Sequence, residues 1–196
     1  MQIELEAKFL DINPDKLRAA LKKSGANLIH SERLMRRINF DFVDRRLYKS
    51  GGWVRVRDEG DKVTLSFKKT VNDTLEGTKD LTIAVEDFDK TNDFLLAIGM
   101  VLKSYQETKR ERWDLDGVEV TIDTWPWIPT FVELEGRSEA QIKDAARRLG
   151  CDWTKAMFGA VASVYCLYYN VRIDEINEWK ELTFTPVPEW WEKRRK

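Results

Sequence analysis

The sequence predicts an α+β domain in which about eight antiparallel strands close into a barrel with a polar bore, with helices packed outside. Three observations predict it. Short segments alternate charged or hydroxyl residues with apolar ones at period two, the pattern of strands with one polar and one apolar face. Segments of helical period lie between them. The apolar faces need those helices as cover, which turns the charged faces inward, and a closed antiparallel barrel then encloses them. In any single strand the same alternation fits an ordinary solvated sheet face. Here, however, the polar faces combine close carboxylate pairs with several Arg and Lys.

The elements follow in order. Ile3, Leu5, Ala7 and Phe9 alternate with Glu4, Glu6 and Lys8, which reads as a strand. Asn13-Pro14-Asp15 starts a helix with Leu17, Ala20 and Leu21 on its apolar face, and Gly25 ends it. Residues 33–44 set Arg37, Asn39 and Asp41 against Ile38, Phe40 and Phe42, a further strand. After Gly51-Gly52, the segments Trp53–Asp58 and Val63–Lys68 form a hairpin around Glu59-Gly60-Asp61. Lys79–Val85 is another strand candidate, and Thr91–Gly99 is helical. Tyr105–Leu115 and Val118–Asp123 flank an Asp116-Gly117 turn. Phe131–Gly136 is a strand, and Ser138 caps a helix that Gly150 stops. Phe158, Val161, Val164, Tyr165 and Tyr168 predict a helix over 156–169. The expected organisation is one domain over residues 1–182 and a tail over 183–196, loosely ordered or laid on the surface.

Composition narrows the function. Lys+Arg is 33 and Asp+Glu is 34, so the chain lacks the basic excess of a nucleic-acid binder and no DNA partner is expected. Two cysteines, Cys151 and Cys166, make no disulfide framework and point to a reducing, cytoplasmic setting. A lone histidine, His30, argues against a His-based zinc centre. The start Met1-Gln2-Ile3-Glu4 lacks the basic and apolar regions of an export signal. The longest charge-free stretch, 156–171, falls short of the roughly 20 apolar residues of a membrane span.

Acid pairs and basic clusters on inward faces suit one chemistry. A triphosphate needs bidentate Arg and point-charge Lys partners. Paired carboxylates repel unless a cation joins them, and Mg²⁺ or Mn²⁺ bridges carboxylates to phosphates. Glu4-Leu5-Glu6-Ala7-Lys8, an ExExK triplet on the first strand, resembles the signature of the CYTH superfamily, the triphosphate tunnel metalloenzymes. Trp53-Val54-Arg55-Val56-Arg57, Lys68, Arg110-Glu111-Arg112-Trp113, Ile122-Asp123 and Phe131-Val132-Glu133-Leu134-Glu135-Gly136 resemble its later strands in the same order.

The resemblance implies an eight-stranded antiparallel tunnel binding a triphosphate-containing small molecule with Mg²⁺ or Mn²⁺. It implies catalytic roles for Glu4, Glu6 and Lys8, and phosphate binding by Lys8, Arg55, Arg57, Lys68, Arg110 and Arg112. Metal ligation would fall to Glu4, Glu6, Asp123, Glu133 and Glu135. Thr108 stands where the family often has Lys, and the acidic middle strand offers only Asp80.

The expected activity is a triphosphatase acting on an inorganic, nucleoside or thiamine triphosphate. A class IV adenylyl cyclase converting ATP to cyclic AMP and pyrophosphate is the alternative, followed by a non-catalytic triphosphate-binding module. A homodimer is compatible with each. The tryptophans at 125, 127, 190 and 191 are candidates for stacking an organic ring. Cys166 reads as a small core residue.

Overall fold

The computed structural model describes residues 1–72 and 74–196. Its strands are β1 (Gln2–Phe9), β2 (Asn27–Phe42), β3 (Gly52–Asp58), β4 (Val63–Thr70), β5 (Thr78–Val85), β6 (Met100–Leu115), β7 (Val118–Thr124), β8 (Phe131–Gly136) and β9 (Glu181–Leu182). Its helices are α1 (Pro14–Lys23), α2 (Arg46–Lys49), α3 (Phe88–Ala97), α4 (Glu139–Leu149), α5 (Ala162–Tyr168), α6 (Ile173–Asn177) and α7 (Glu189–Glu192).

The strands run in the order β2-β3-β4-β5-β1-β8-β7-β6, and β2 pairs again with β6, so eight antiparallel strands close on themselves. The short β9 adds to β6 in parallel. Closure rests on two long strands, β2 and β6, which bend through register shifts between Leu28 and His30, His30 and Arg33, and Asn39 and Phe40. Bulges of this kind supply the local twist that a barrel needs. Asp116 and Gly117 both take positive φ, 52° and 82°, the conformation that a two-residue hairpin turn requires between β6 and β7.

Helices cover the barrel unevenly. Leu21 of α1 and Ile142 and Ala146 of α4 bury the outward residues Ala7, Val120 and Leu134. α3 lays Phe88 and Leu95 over Phe40 and Val56. Outside β1 and β5, Ile3, Leu81 and Ile83 stay more than half exposed, so the expectation that helices cover the outer face holds only in part. The cause is local: β3, β4 and β5 follow one another without an intervening helix.

Other expectations are also corrected. The second predicted strand starts at Asn27, six residues before the alternation becomes clear. The predicted 156–169 helix shrinks to Ala162–Tyr168, because Gly159 takes φ 85° and the chain before it is irregular. The tail is not loose. Trp191 is 1% exposed and lies edge-on to Trp179 at 4.2 Å, within a cluster that includes Tyr169, Tyr165 and Leu182. Both cysteines are free and half-buried, which makes Cys166 less enclosed than a core residue.

Candidate active site

Alternation along β1 sends Ala7 and Phe9 to the helix layer and Glu4, Glu6 and Lys8 into the bore. The same rule turns Arg55 and Arg57 of β3, Lys68 of β4, Arg110 and Arg112 of β6, and Glu133 and Glu135 of β8 inward. All ten line one cavity of about 610 Å³. Asp123 does not line it. It is 1% exposed, behind Arg110, and accepts bonds from Arg110 Nε at 2.6 Å, Arg110 Nη2 at 2.9 Å and Thr121 Oγ1 at 2.7 Å.

The bore is electrically polarised. In the closed ring, β1 lies across from β2, and β8 across from β3. One wall therefore carries Glu4, Glu6, Glu133 and Glu135, and the facing wall carries Arg55 and Arg57. Two lysines sit among the acids. Lys8 Nζ lies 2.8 Å from both Glu6 and Glu133. Lys68 Nζ lies 2.7 Å from Glu4 and 3.8 Å from Asp80. Arg110 reaches Glu133 at 3.1 Å, Arg112 pairs with Glu119 at 2.7 Å, and Arg57 pairs with Glu59 at 2.5 Å.

Protonation follows from this arrangement. Burial and the neighbouring Glu133 raise the Glu6 carboxyl to about 7. Burial opposes ionisation of Glu133 too, but Lys8 and Arg110 outweigh it and hold that group ionised far below the usual range. Burial also raises Glu135, to about 7, and Glu4, Glu119 and Glu133 reinforce the shift. Glu135 has no hydrogen bond or ion pair among the described residues. On the basic wall, burial and the nearby Arg57 lower Arg55 to about 9.

No three metal-ligating side chains converge among the described residues into a ready-made cage. The donor chemistry nevertheless fits a hard divalent cation. Carboxylate oxygens line one wall, Lys8 and Lys68 hold part of them in place, and the unpaired Glu135 stands among like charges that a cation would neutralise.

Sequence reasoning missed Arg37, Trp53 and Glu59 as cavity residues. The alternation of Arg37, Asn39 and Asp41 carried the signal for Arg37. Of the four tryptophans expected to stack a ring, only Trp125 reaches the cavity, and the Arg37 guanidinium covers it at 4.1 Å. The others pack with Trp179: Trp190 lies parallel to it at 5.1 Å, and Trp127 and Trp191 lie edge-on.

The sequence matches the family model of the CYTH domain over residues 2–155. None of the curated proteins matches it. Among solved structures, a Vibrio parahaemolyticus protein described as a "putative adenylate cyclase" superposes with a TM-score of 0.74 at 13% identity, covering 84% of this chain and 98% of that one. The PH1012 protein of Pyrococcus horikoshii gives 0.65 at 19% identity, covering 79% and 94%. A Hippeastrum protein, described as revealing a dominant triphosphatase activity, gives 0.59 at 13% identity, covering 89% and 99%. At these identities the likeness is one of fold.

Proposed function

Because the chain belongs to the CYTH domain family, we propose that it is a divalent-metal-dependent triphosphatase acting on an inorganic or organic triphosphate held in its tunnel. The observation that carries this reading is the facing of the Glu4, Glu6, Glu133 and Glu135 wall by the Arg55 and Arg57 wall inside one closed cavity. A highly charged anion would lie against the arginines, and the acids would hold the Mg²⁺ or Mn²⁺ that accompanies it. Glu4, Glu6, Glu133 and Glu135 are the metal-holding candidates. Asp123 is left out of that set, because Arg110 and Thr121 already occupy its oxygens. When bound, the metal supplies charge neutralisation on the phosphate oxygens.

The protein's own groups do the rest. Arg55, Arg57 and Arg110 orient the phosphate chain and offset its charge. Lys8 and Lys68 swing between carboxylates and phosphate as mobile point charges. Water forms a bond to the terminal phosphorus, and the bridging P–O bond breaks to give orthophosphate and a diphosphate. A carboxylate of the same wall that the metal would leave unligated takes the proton from water.

The Vibrio neighbour favours a second reading, in which the same walls hold ATP for cyclisation. Product analysis separates the two. Incubation with ATP, thiamine triphosphate or tripolyphosphate and each metal, followed by ³¹P NMR, is expected to yield orthophosphate. Pyrophosphate with cyclic AMP as the products would establish the cyclase, and turnover indifferent to EDTA would remove the metal role.

Two further outcomes are expected. Metal binds the ionised carboxylates, and Glu6 and Glu135 are protonated below about 7. Mn²⁺ affinity, measured by electron paramagnetic resonance titration, should therefore rise with pH up to about 7 and then level off. A flat profile between pH 5 and 8 would contradict this assignment. Arg57→Ala should weaken tripolyphosphate and ATP by similar factors. Charge-assisted hydrogen bonds contribute roughly 1.5–3 kcal/mol, or about 10-fold to 150-fold. The loss should sit near the lower end, because Glu59 already engages Arg57. A loss confined to ATP would place Arg57 at the base or sugar instead.

A further inference from the structure

Arg37 is the most conspicuous group in the bore that the proposed chemistry leaves unused. It is 8% exposed, makes no ion pair or hydrogen bond among the described residues, and its Nε is buried without a partner. Its strand partners are Arg57 on β3 and Gln106 on β6. Like charges directly opposite on paired strands destabilise a sheet, and a buried cation without a counter-charge costs more still. Arg55, two residues along β3, is also 8% exposed with an unpartnered Nε. Burial works against the charged form of Arg37, and Arg55, Arg57 and Arg110 all add repulsion.

The fold nonetheless holds this guanidinium in place. Its Cζ lies over the indole of Trp125, 4.1 Å from the ring centroid. Trp125 belongs to a clamped loop. The Tyr165 hydroxyl donates to Pro126 O at 2.7 Å, the Tyr169 hydroxyl donates to Trp127 O at 2.8 Å, and Trp127 Nε1 donates to Thr185 O at 2.8 Å. Each of these clamps comes from residues beyond position 155, where the family match ends. The C-terminal part of the chain thus steadies the seat of a cation that no carboxylate pairs with directly among the described residues, Asp123 acting on it only at a distance.

We propose that Arg37, seated on Trp125 and acting with Arg55, forms an anion subsite for the phosphoryl group farthest from the carboxylate wall, and so selects chains of three or more phosphates over diphosphate. This rests on the reading of the tunnel as a triphosphate site. On this reading a diphosphate held at the carboxylate wall would leave Arg37 unoccupied, and a third phosphate would fill the site. Arg37 is then a specificity-determining residue, and Tyr165 and Trp125 are positioning residues.

The test titrates tripolyphosphate and pyrophosphate calorimetrically into wild type and Arg37→Met with Mn²⁺ present, with ³¹P NMR of the same samples to separate binding from hydrolysis. Methionine keeps a long apolar stem against Trp125. Tripolyphosphate affinity is expected to fall by about 10-fold or more, the lower value for one charge-assisted contact, while pyrophosphate changes little. The ligand-free variant should melt no lower than wild type, because a repelled buried cation has gone. A purely structural arginine would instead lower the melting temperature and leave the preference between the two anions unchanged. Trp125→Leu, which keeps the charge but removes its seat, should reproduce part of the tripolyphosphate loss even if Arg37→Met folds poorly. Equal losses for both anions, or none, overturn the subsite alone. A wild type that binds neither anion removes the triphosphate reading and the subsite with it.

Discussion

Glu135→Gln is expected to cut metal-dependent turnover on the order of 100-fold or more, the scale of losing a positioned proton acceptor, while making the ligand-free protein more stable at pH 8. The stability sign follows from the raised Glu135 pKa, about 7 against an ordinary 4.5. The fold favours the protonated form. That contribution is fully present below about 4.5 and is lost as pH rises through about 7. At pH 8 the carboxylate is ionised, buried and opposed by Glu4, Glu119 and Glu133. The neutral amide removes that repulsion, a gain of at most about 3.5 kcal/mol at one pKa unit per 1.4 kcal/mol. At pH 4.5 the gain should vanish. Thermal melts at both pH values, with turnover measured alongside, check the two halves separately. Wild-type turnover in the variant would exclude Glu135 from the chemistry.

Arg110→Met should be the most destabilising single change in the bore. Arg110 holds Asp123 through two bonds and reaches Glu133 with one of the same nitrogens. Without it, Asp123 keeps only the Thr121 hydroxyl and sits 1% exposed with an unpaired charge. Breaking one side of a buried ion pair costs about 3–5 kcal/mol. Urea unfolding should show a loss of that size, largely recovered when Asp123→Asn is added to the same protein. The double variant should still bind Mn²⁺. A collapse of metal affinity on changing Asp123 alone would restore it to the metal site.

The barrel was legible because strand alternation survives wherever one face meets helices and the other meets charge. Glu4, Glu6 and Lys8 could be read as one inward face, and they are. Asp123 shows the limit of the method. Alternation gives the side of the sheet to which a residue belongs, but not which cross-strand neighbour consumes its oxygens. Arg110 pairs with Asp123 across β6 and β7, a register that only the folded chain reveals. Arg37 was missed for a related reason. Its alternation with Ile38 and Phe40 gives the side of the sheet, but its lack of a counter-ion is a property of the whole cavity. The tail escaped prediction because two prolines and a basic end look like a surface segment. The burial of Trp191 depends on Tyr169 and Trp179, whose positions were not readable.

The order in which the barrel closes bears on how the protein is made. β1 finds its main partner in β8, with Phe9 opposite Val132, and β2 finds its second in β6. On a ribosome adding roughly 5–20 residues per second, the first strand waits on the order of ten seconds for that partner to emerge. Contacts this distant in sequence make for slow folding. Until β8 arrives, β1 has only the short pairing with β5, and its apolar edge stays open to other chains. The acid pair on β1 therefore meets Glu133 and Glu135 only once β8 has emerged. A chain interrupted before residue 131 would hold half of the carboxylate wall and lack the β1–β8 seam, and should depend on chaperones or be degraded rather than accumulate as a weakened enzyme.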